Sequence, residues 1–552
     1  QIPSANLTED EFALLLPEQL AALDPADLAA FGGAYIARLS GAQVQALTFA
    51  QFEAVTSFVT VAQVPLARAD QIAMLSAGAY AALTPDQRAA MTDAQRAERT
   101  ISENARALPS SGIRALAVAA IKYLLPSQLA GIRNDYEMSL ISADRRAAFT
   151  QDQVRALNAR DVSIGYLTDA QRLQLTTAQM AAIRTDDVRH APVARLGDIP
   201  PATIGAIAND YAMSLISADR RAAFSAAQVQ ALNARNVSIG YLTESQRSQL
   251  TTAQMAAIRT DDVRHAPIAR LGDIPPATIG AIANDYAMSL ISADRRAAFS
   301  AAQVQALNAR NVSIGYLTES QRSQLTTAQM SSIRTDDVRH APVARLGDIP
   351  PATIGAIAND YAMSLISADR RAAFSAAQVQ ALNARNVSIG YLTEAQRQQL
   401  TTAQMAAIRT DDVRHAPLAR LGDIPPATIG AIANDYAMSL ISADRRAAFS
   451  AAQVQALNTA AVSLSYLTES QRSSATVAQI AAVRSTDVRF VPATRIGEVP
   501  VATIGAINGG YAWSLVPTAQ VQALTRDQVI GISADNYSAI ASRLTPEQRS
   551  WR

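Results

Sequence analysis

The string Arg259-Thr260-Asp261-Asp262-Val263-Arg264-His265 places two adjacent carboxylates within four residues of an imidazole. Such groups can hold a divalent metal or share protons, so Asp261, Asp262 and His265 are the candidate metal ligands. Histidine recurs at His190, His340 and His415, and these four are all that the chain contains. The next equivalent position is Phe490, which a packing role tolerates and a ligand role does not. Alignment with Asn236-Val237-Ser238-Ile239 and Asp285-Tyr286-Ala287-Met288 puts the acidic or amide residue at a turn or N-cap. The histidine then falls on an inward apolar position. The expectation is a structural segment, with no metal bound.

Two further patterns carry potential chemistry. Asn209-Asp210, Asn236 and Asp261-Asp262 form an acidic and amide ladder. Calcium asks for six to eight oxygens and usually a glycine-assisted loop; one or two carboxylates per rung without a Gly-x-Asp run fits local capping of backbone N–H groups better. No cofactor is expected, and calcium is the alternative left open. Arginine recurs as Asp219-Arg220-Arg221 and at Arg259, Arg264 and Arg270. Stacked arginines could grip an anionic polymer. The neighbouring acids make Asp–Arg pairing between rungs the simpler expectation, and the guanidinium fork suits it.

Composition narrows the classes. Zero cysteine excludes disulfides, zinc–thiolate sites, iron–sulfur clusters and a cysteine nucleophile. Lys plus Arg is 48 and Asp plus Glu is 47, which gives no basic footprint for nucleic acid. All four histidines occupy one repeated position, so no Ser–His–Asp set forms, and no enzyme is expected. Tyr211, Met213 and Tyr241 read as core or interface filling. Gly205, Gly240 and Gly272 read as turns or tight contacts. No apolar run approaches the length of about 18 residues that spans a membrane. The opening Gln1-Ile2-Pro3-Ser4 lacks an initiator Met and a leader pattern, which suggests a processed form or an internal piece.

The elements that position these residues follow from repetition. Asn209-Asp210-Tyr211-Ala212-Met213-Ser214-Leu215 returns at Asn284, Asn359 and Asn434, and in variant form at Asn134, a period of 75 residues. Five copies cover 134–208, 209–283, 284–358, 359–433 and 434–508, flanked by 1–133 and 509–552 as diverged caps. Each copy holds three pairs of an eight-residue frame, [Ser/Thr/Pro]-x-x-Gln-φ-x-Ala-φ, as in Ser225–Leu232 and Thr251–Ile258. A copy is therefore three coils of about 25 residues, each with two octads and a looser third segment.

A capping residue opens each octad. Good helix formers follow, and apolar positions five and eight lie on one helical face. Helices of about two turns are too short to stand alone and need neighbouring coils. The expected fold is all-α, an elongated solenoid of short helices. The alternation in Val237–Tyr241 and Tyr211–Leu215 adds a short strand or 3₁₀ segment on one side.

Repeats such as Leu83-Thr84-Pro85-Asp86-Gln87-Arg88-Ala89-Ala90 resemble those of large repetitive bacterial proteins of the secreted or surface-associated kind. The 25-residue coil is also similar to leucine-rich-variant repeats, although those carry more Leu and less Gln. The first resemblance implies an extracellular or cell-surface bacterial protein without known catalytic residues. The expected function is structural: a stiff rod serving as filament or surface-layer subunit or adhesin stalk. The partner would be the protein itself, joined through the end segments carrying Phe49, Phe52, Phe58, Trp513 and Trp551. The alternative is a binding scaffold for a protein or cell-surface polysaccharide.

Overall fold

The computed structural model describes residues 7–552. It divides at Asp273/Ile274 into two compact units. Both are built from short α- and 3₁₀-helices, and no strand occurs among the described residues.

The copy 359–433 shows the grammar. Its six octads give the helices Ala368–Ala372, Ala376–Ala381, Glu394–Gln398 and Thr402–Ala407, the 3₁₀ segment Leu418–Asp423, and the helix Pro426–Gly430. The third segments are Asp360–Ser364 (α), Ile389–Tyr391 (3₁₀) and Thr410–His415 (3₁₀). Each octad helix is only five or six residues long, shorter than the two turns expected, because the next cap arrives first. The Asp93–Ala107 helix, 15 residues long, breaks this rhythm near the start.

Of the strand or 3₁₀ segment expected on one side, the 3₁₀ form is found at one place and the strand is overturned by a helix at the other. Asp210–Ser214 is α-helical, with Asn209 Oδ1 accepting from the Ala212 N–H at 3.0 Å. Ile239–Tyr241 is a 3₁₀ turn opened by Ser238, whose hydroxyl accepts from the Gly240 N–H at 3.0 Å. In both, a side-chain cap closes a turn where the apolar period alone reads as extended.

The core forms as the octads direct. Position eight is buried and apolar throughout the copy: Phe374, Leu382, Leu400, Ile408, Ile424 and Ile432 are all at most 5% exposed. Position five is Val379, Met405, Leu421 and Ile429 in four octads. In the other two it is Arg371 and Arg397, which turn their donors to backbone carbonyls.

Position four links one coil to the last. Gln378 is 1% exposed. Its Oε1 accepts from the Ser375 N–H at 2.9 Å and completes a capping box. Its Nε2 then donates to the carbonyls of Leu346 (2.8 Å) and Ile349 (2.7 Å) in the preceding coil. Gln396 bonds likewise to Arg371 O and Phe374 O, and Gln404 to Val379 O and Leu382 O. Where position four is arginine the link between coils is kept without the capping box: Arg370 Nε donates to Ala341 O at 2.7 Å and Arg420 Nη1 to Leu400 O at 2.7 Å. One amide thus satisfies a helix start and a carbonyl left over at a helix end, and adds a second donor to a carbonyl that already accepts a local N–H.

Coil spacing depends on a missing side chain. A Cβ on Gly355 would lie 2.6 Å from the carbonyl oxygen of Ala381 in the next coil. Gly355→Ala is expected to lower stability by about 1–3 kcal/mol through overpacking against backbone. Gly347→Ala, where a Cβ meets nothing within 4 Å, should leave the urea midpoint unchanged. Equal midpoints for the two variants would refute the close approach.

Candidate functional site

The acidic ladder and the arginines converge on one cluster per copy. In the 359–433 copy the Asp360 carboxylate accepts from the Ser388 N–H at 2.6 Å and from Arg409 Nη1 at 2.7 Å. Arg409 Nε also reaches Asp412 Oδ2 at 3.2 Å. The Ser388 hydroxyl donates to the other oxygen of Asp412. Asp360, Ser388 and the Arg409–Asp412 pair belong to three successive coils, 28, 24 and 49 residues apart. The set is a clamp across three coils.

Its electrostatics follow from the contacts. Burial pushes the Asp360 carboxyl up, but the Arg409 guanidinium and the Ser388 amide outweigh it and hold the group below the usual carboxylate range. The hydrogen bond that Arg409 donates to Asp360, against the opposing effect of burial, raises Arg409 in turn. Asp135, Asp210, Asp285 and Asp435 are held low by the same partners in their own copies.

Of the candidate ligands, Asp261 and His265 line one shallow pocket together with Arg259 and Arg264, while Asp262 is buried. Asp262, 2% exposed, accepts from the Ser238 hydroxyl and from Arg259 Nε at 3.2 Å. Asp261 points to solvent. His265 is half-buried rather than inward, and its Nε2 accepts from Arg264 Nε at 3.1 Å. Its ring covers Gly240, where a Cβ would come within 2.9 Å of it. Among the described residues no three His, Asp or Glu side chains gather in a way that could hold a metal ion. The ladder itself has two roles. Asn209 caps its helix locally, as expected, whereas Asp210 bonds across coils to Ser238 N and Arg259.

The last copy separates clamp from surroundings. Asp435, Ser463, Arg484 and Asp487 keep every contact. The outer acid and the imidazole are replaced there by Thr486 and Phe490. The series then stops at Gly509-Gly510, where Gly509 takes φ +86° and its N–H donates to Asn536 Oδ1 at 2.8 Å.

The imidazoles of His190, His340 and His415 are held low by burial first and then by arginines. For His340 these are Arg339, Arg322 and Arg370, with Asp337 opposing; His190 and His415 share the pattern. A base with a lowered folded value stabilises the fold only while neutral. Stability is therefore expected to fall as pH drops below about 6.5, the unfolded value. Replacing His190, His340 and His415 by Phe, the residue at 490, should flatten the urea midpoint between pH 5 and 6.5. An unchanged slope would remove the imidazoles as its cause.

Other expectations divide. Met213 is core at 0% exposure, and Tyr241 packs under Arg221 at 5.1 Å. Tyr211 is 73% exposed, so it fills no core. Its equivalents Tyr136, Tyr286, Tyr361, Tyr436 and Tyr511 are as exposed. Of the end aromatics, Phe52 and Trp513 are buried in their own coils and offer no outer surface; Phe49 and Phe58 do, and Trp551 is half-buried. The role of glutamine was missed. The signal was present in the Ser/Thr-x-x-Gln spacing, a capping-box pattern that fixes one end of the amide.

No helix among the described residues is long and apolar enough to cross a membrane. Among known proteins, no curated sequence matches this chain. Residues 20–57 match the family model described as the ALTTAQ repeat. That stretch holds Leu39-Ser40-Gly41-Ala42-Gln43 and Leu47-Thr48-Phe49-Ala50-Gln51. The glutamines in both are box residues that bond to the preceding coil. The chain is a helical repeat protein in which the recurring Thr/Ser-x-x-Gln both caps its own helix and joins it to the coil before.

Proposed function

We propose that the chain is a non-enzymatic structural protein of a bacterial surface or extracellular space. In this reading it is a stiff rod that serves as filament or surface-layer subunit or as an adhesin stalk, and it assembles with itself. The observation that carries the reading is the fate of the polar groups. Glutamine amides, Arg409-type forks and Asp412-type carboxylates are directed at neighbouring coils rather than at a ligand. Near-identical copies then add length by repetition. The surface location rests on the resemblance to repetitive bacterial surface proteins.

A second reading, a scaffold for a protein or a polysaccharide, is favoured by the exposed tyrosines recurring every 75 residues. Electron microscopy of the full chain over a concentration series, with and without calcium, separates the two. Regular fibres or sheets are expected. Single particles at every concentration would overturn self-assembly and favour the scaffold. Assembly that needs calcium would return the Asp261 positions to consideration as ligands.

A further inference from the structure

Beside the exposed tyrosines Tyr361 and Tyr511 lies a pocket, with a counterpart at 110–141, that varies along the chain in a telling way. At 335–366 its volume is about 250 Å³, with Asp336 and Arg339 at the rim and Tyr361 and Leu365 on the wall. At 110–141, where the N-terminal region meets the first copy, it shrinks to about 40 Å³. Glu137 stands there in place of Ala362, held by the Arg133 N–H at 2.8 Å. At 485–516 it is larger, about 380 Å³, lined by Ile507, Tyr511, Ala512 and Leu515.

The 485–516 pocket also has altered charge. In the 335–366 copy Arg339 Nε donates to His340 Nε2 at 3.1 Å, and Asp336 supplies a carboxylate nearby. At 485–516 the imidazole is Phe490 and the carboxylate is Thr486. Arg489 lies over the Phe490 ring, 4.7 Å from its centroid. Its Nε is buried with no hydrogen-bond partner. No acidic residue lines this pocket. The Nε is sealed against that ring and out of a ligand's reach, but the guanidinium lines the pocket without a carboxylate partner, and an anion in the pocket would supply one through a charge-assisted hydrogen bond.

We propose that the 485–516 pocket binds a carboxylate carried on an apolar body, with the anion at Arg489 and the apolar part against Tyr511, Ile507 and Leu515. Two sources present this chemistry, a free aliphatic acid and the C-terminus of a polypeptide ending in an apolar residue. The copy at 110–141 is the same pocket closed by its own carboxylate, Glu137.

Trp513 reports on the site. It is fully buried on the Gly510–Ser514 helix, and its Nε1 donates to the carbonyl of Ile507, a pocket residue, at 3.2 Å. Trp551→Phe in the full chain leaves it the sole indole. Its fluorescence would be titrated with octanoate, with 1-octanol, and with N-acetyl-Gly-Gly-Leu as free acid and as amide. Saturable binding is expected, with either acid on the order of ten-fold tighter than its neutral counterpart, the range for a charge-assisted hydrogen bond. Arg489→Gln should abolish that preference, and Ala512→Glu should abolish binding as Glu137 fills its own pocket. The double variant Thr486→Asp/Phe490→His restores the partners that other copies fold with, and should weaken acid binding about ten-fold. Tighter binding of the peptide acid would identify a chain end as the source, and of octanoate a free acid. No saturable binding, or an acid preference that survives Arg489→Gln, would overturn the proposal.

Discussion

Gln378→Leu is expected to lower stability by about 2–4 kcal/mol, because the change strands a part-buried donor and a buried acceptor at once. The Ser375 N–H loses its acceptor and the Ile349 carbonyl its donor, while the Leu346 carbonyl keeps only the Ile349 N–H. Leucine has nearly the right volume, so a cavity contributes little. Hydrogen exchange should show the deficit first at the amides of 346–382, before urea unfolds the remainder. Gln378→Glu sharpens the test. A carboxylate keeps the bond to Ser375 but turns a second acceptor toward two carbonyls, so its folded-state pKa is raised. Stability with a raised folded pKa is present below the unfolded value of about 4.3 and lost as pH rises through the folded value. The Glu variant should approach the parent in acid and fall to the level of the Leu variant at pH 7. A pH-independent deficit would contradict the two-carbonyl geometry.

The second large effect concerns the clamp. Arg409→Ala leaves Asp412, 2% exposed, with only the Ser388 hydroxyl, and frees Asp360 from its cation. A loss of about 2 kcal/mol is expected, less than for a fully buried pair because Arg409 is one-third exposed. Arg409→Lys should not restore it, since a single ammonium cannot fork between Asp360 and Asp412. The acid limb carries the same signature. Asp360 is held low when folded, so its contribution is present above about pH 3.9 and lost as pH falls through the folded value. Asp360→Asn should remove its share of that loss, read from urea midpoints between pH 2.5 and 5. An acid limb identical to that of the parent would show that the clamp does not govern it.

Much of the fold was legible in the residues, because period and caps are local properties. Ser375 and Gln378 announce a helix start three residues apart, and Leu382 closes the apolar face. What lay hidden was the other end of each amide. The acceptors of Gln378 are backbone carbonyls 29 and 32 residues earlier, and a carbonyl has no side-chain identity to read. The same holds for Asp210, read as a local cap and found bonded to Ser238 N of the next coil. Tyr211–Leu215 misled because alternation over five residues cannot distinguish a strand from one helical turn capped by Asn209. Trp513 misled because its place near the end of the chain suggested an outer surface, whereas its coil buries it completely.

The box glutamines described above all reach backward. Gln396 meets carbonyls 22 and 25 residues earlier, and Gln404 does the same. During synthesis the carbonyls that a new coil requires have therefore already left the ribosome and been set in place. No coil has to wait for later sequence to satisfy its glutamine. For the glutamines the order of translation and the order of bonding run in the same direction, whereas each Asp360-type carboxylate waits for an arginine made 49 residues later.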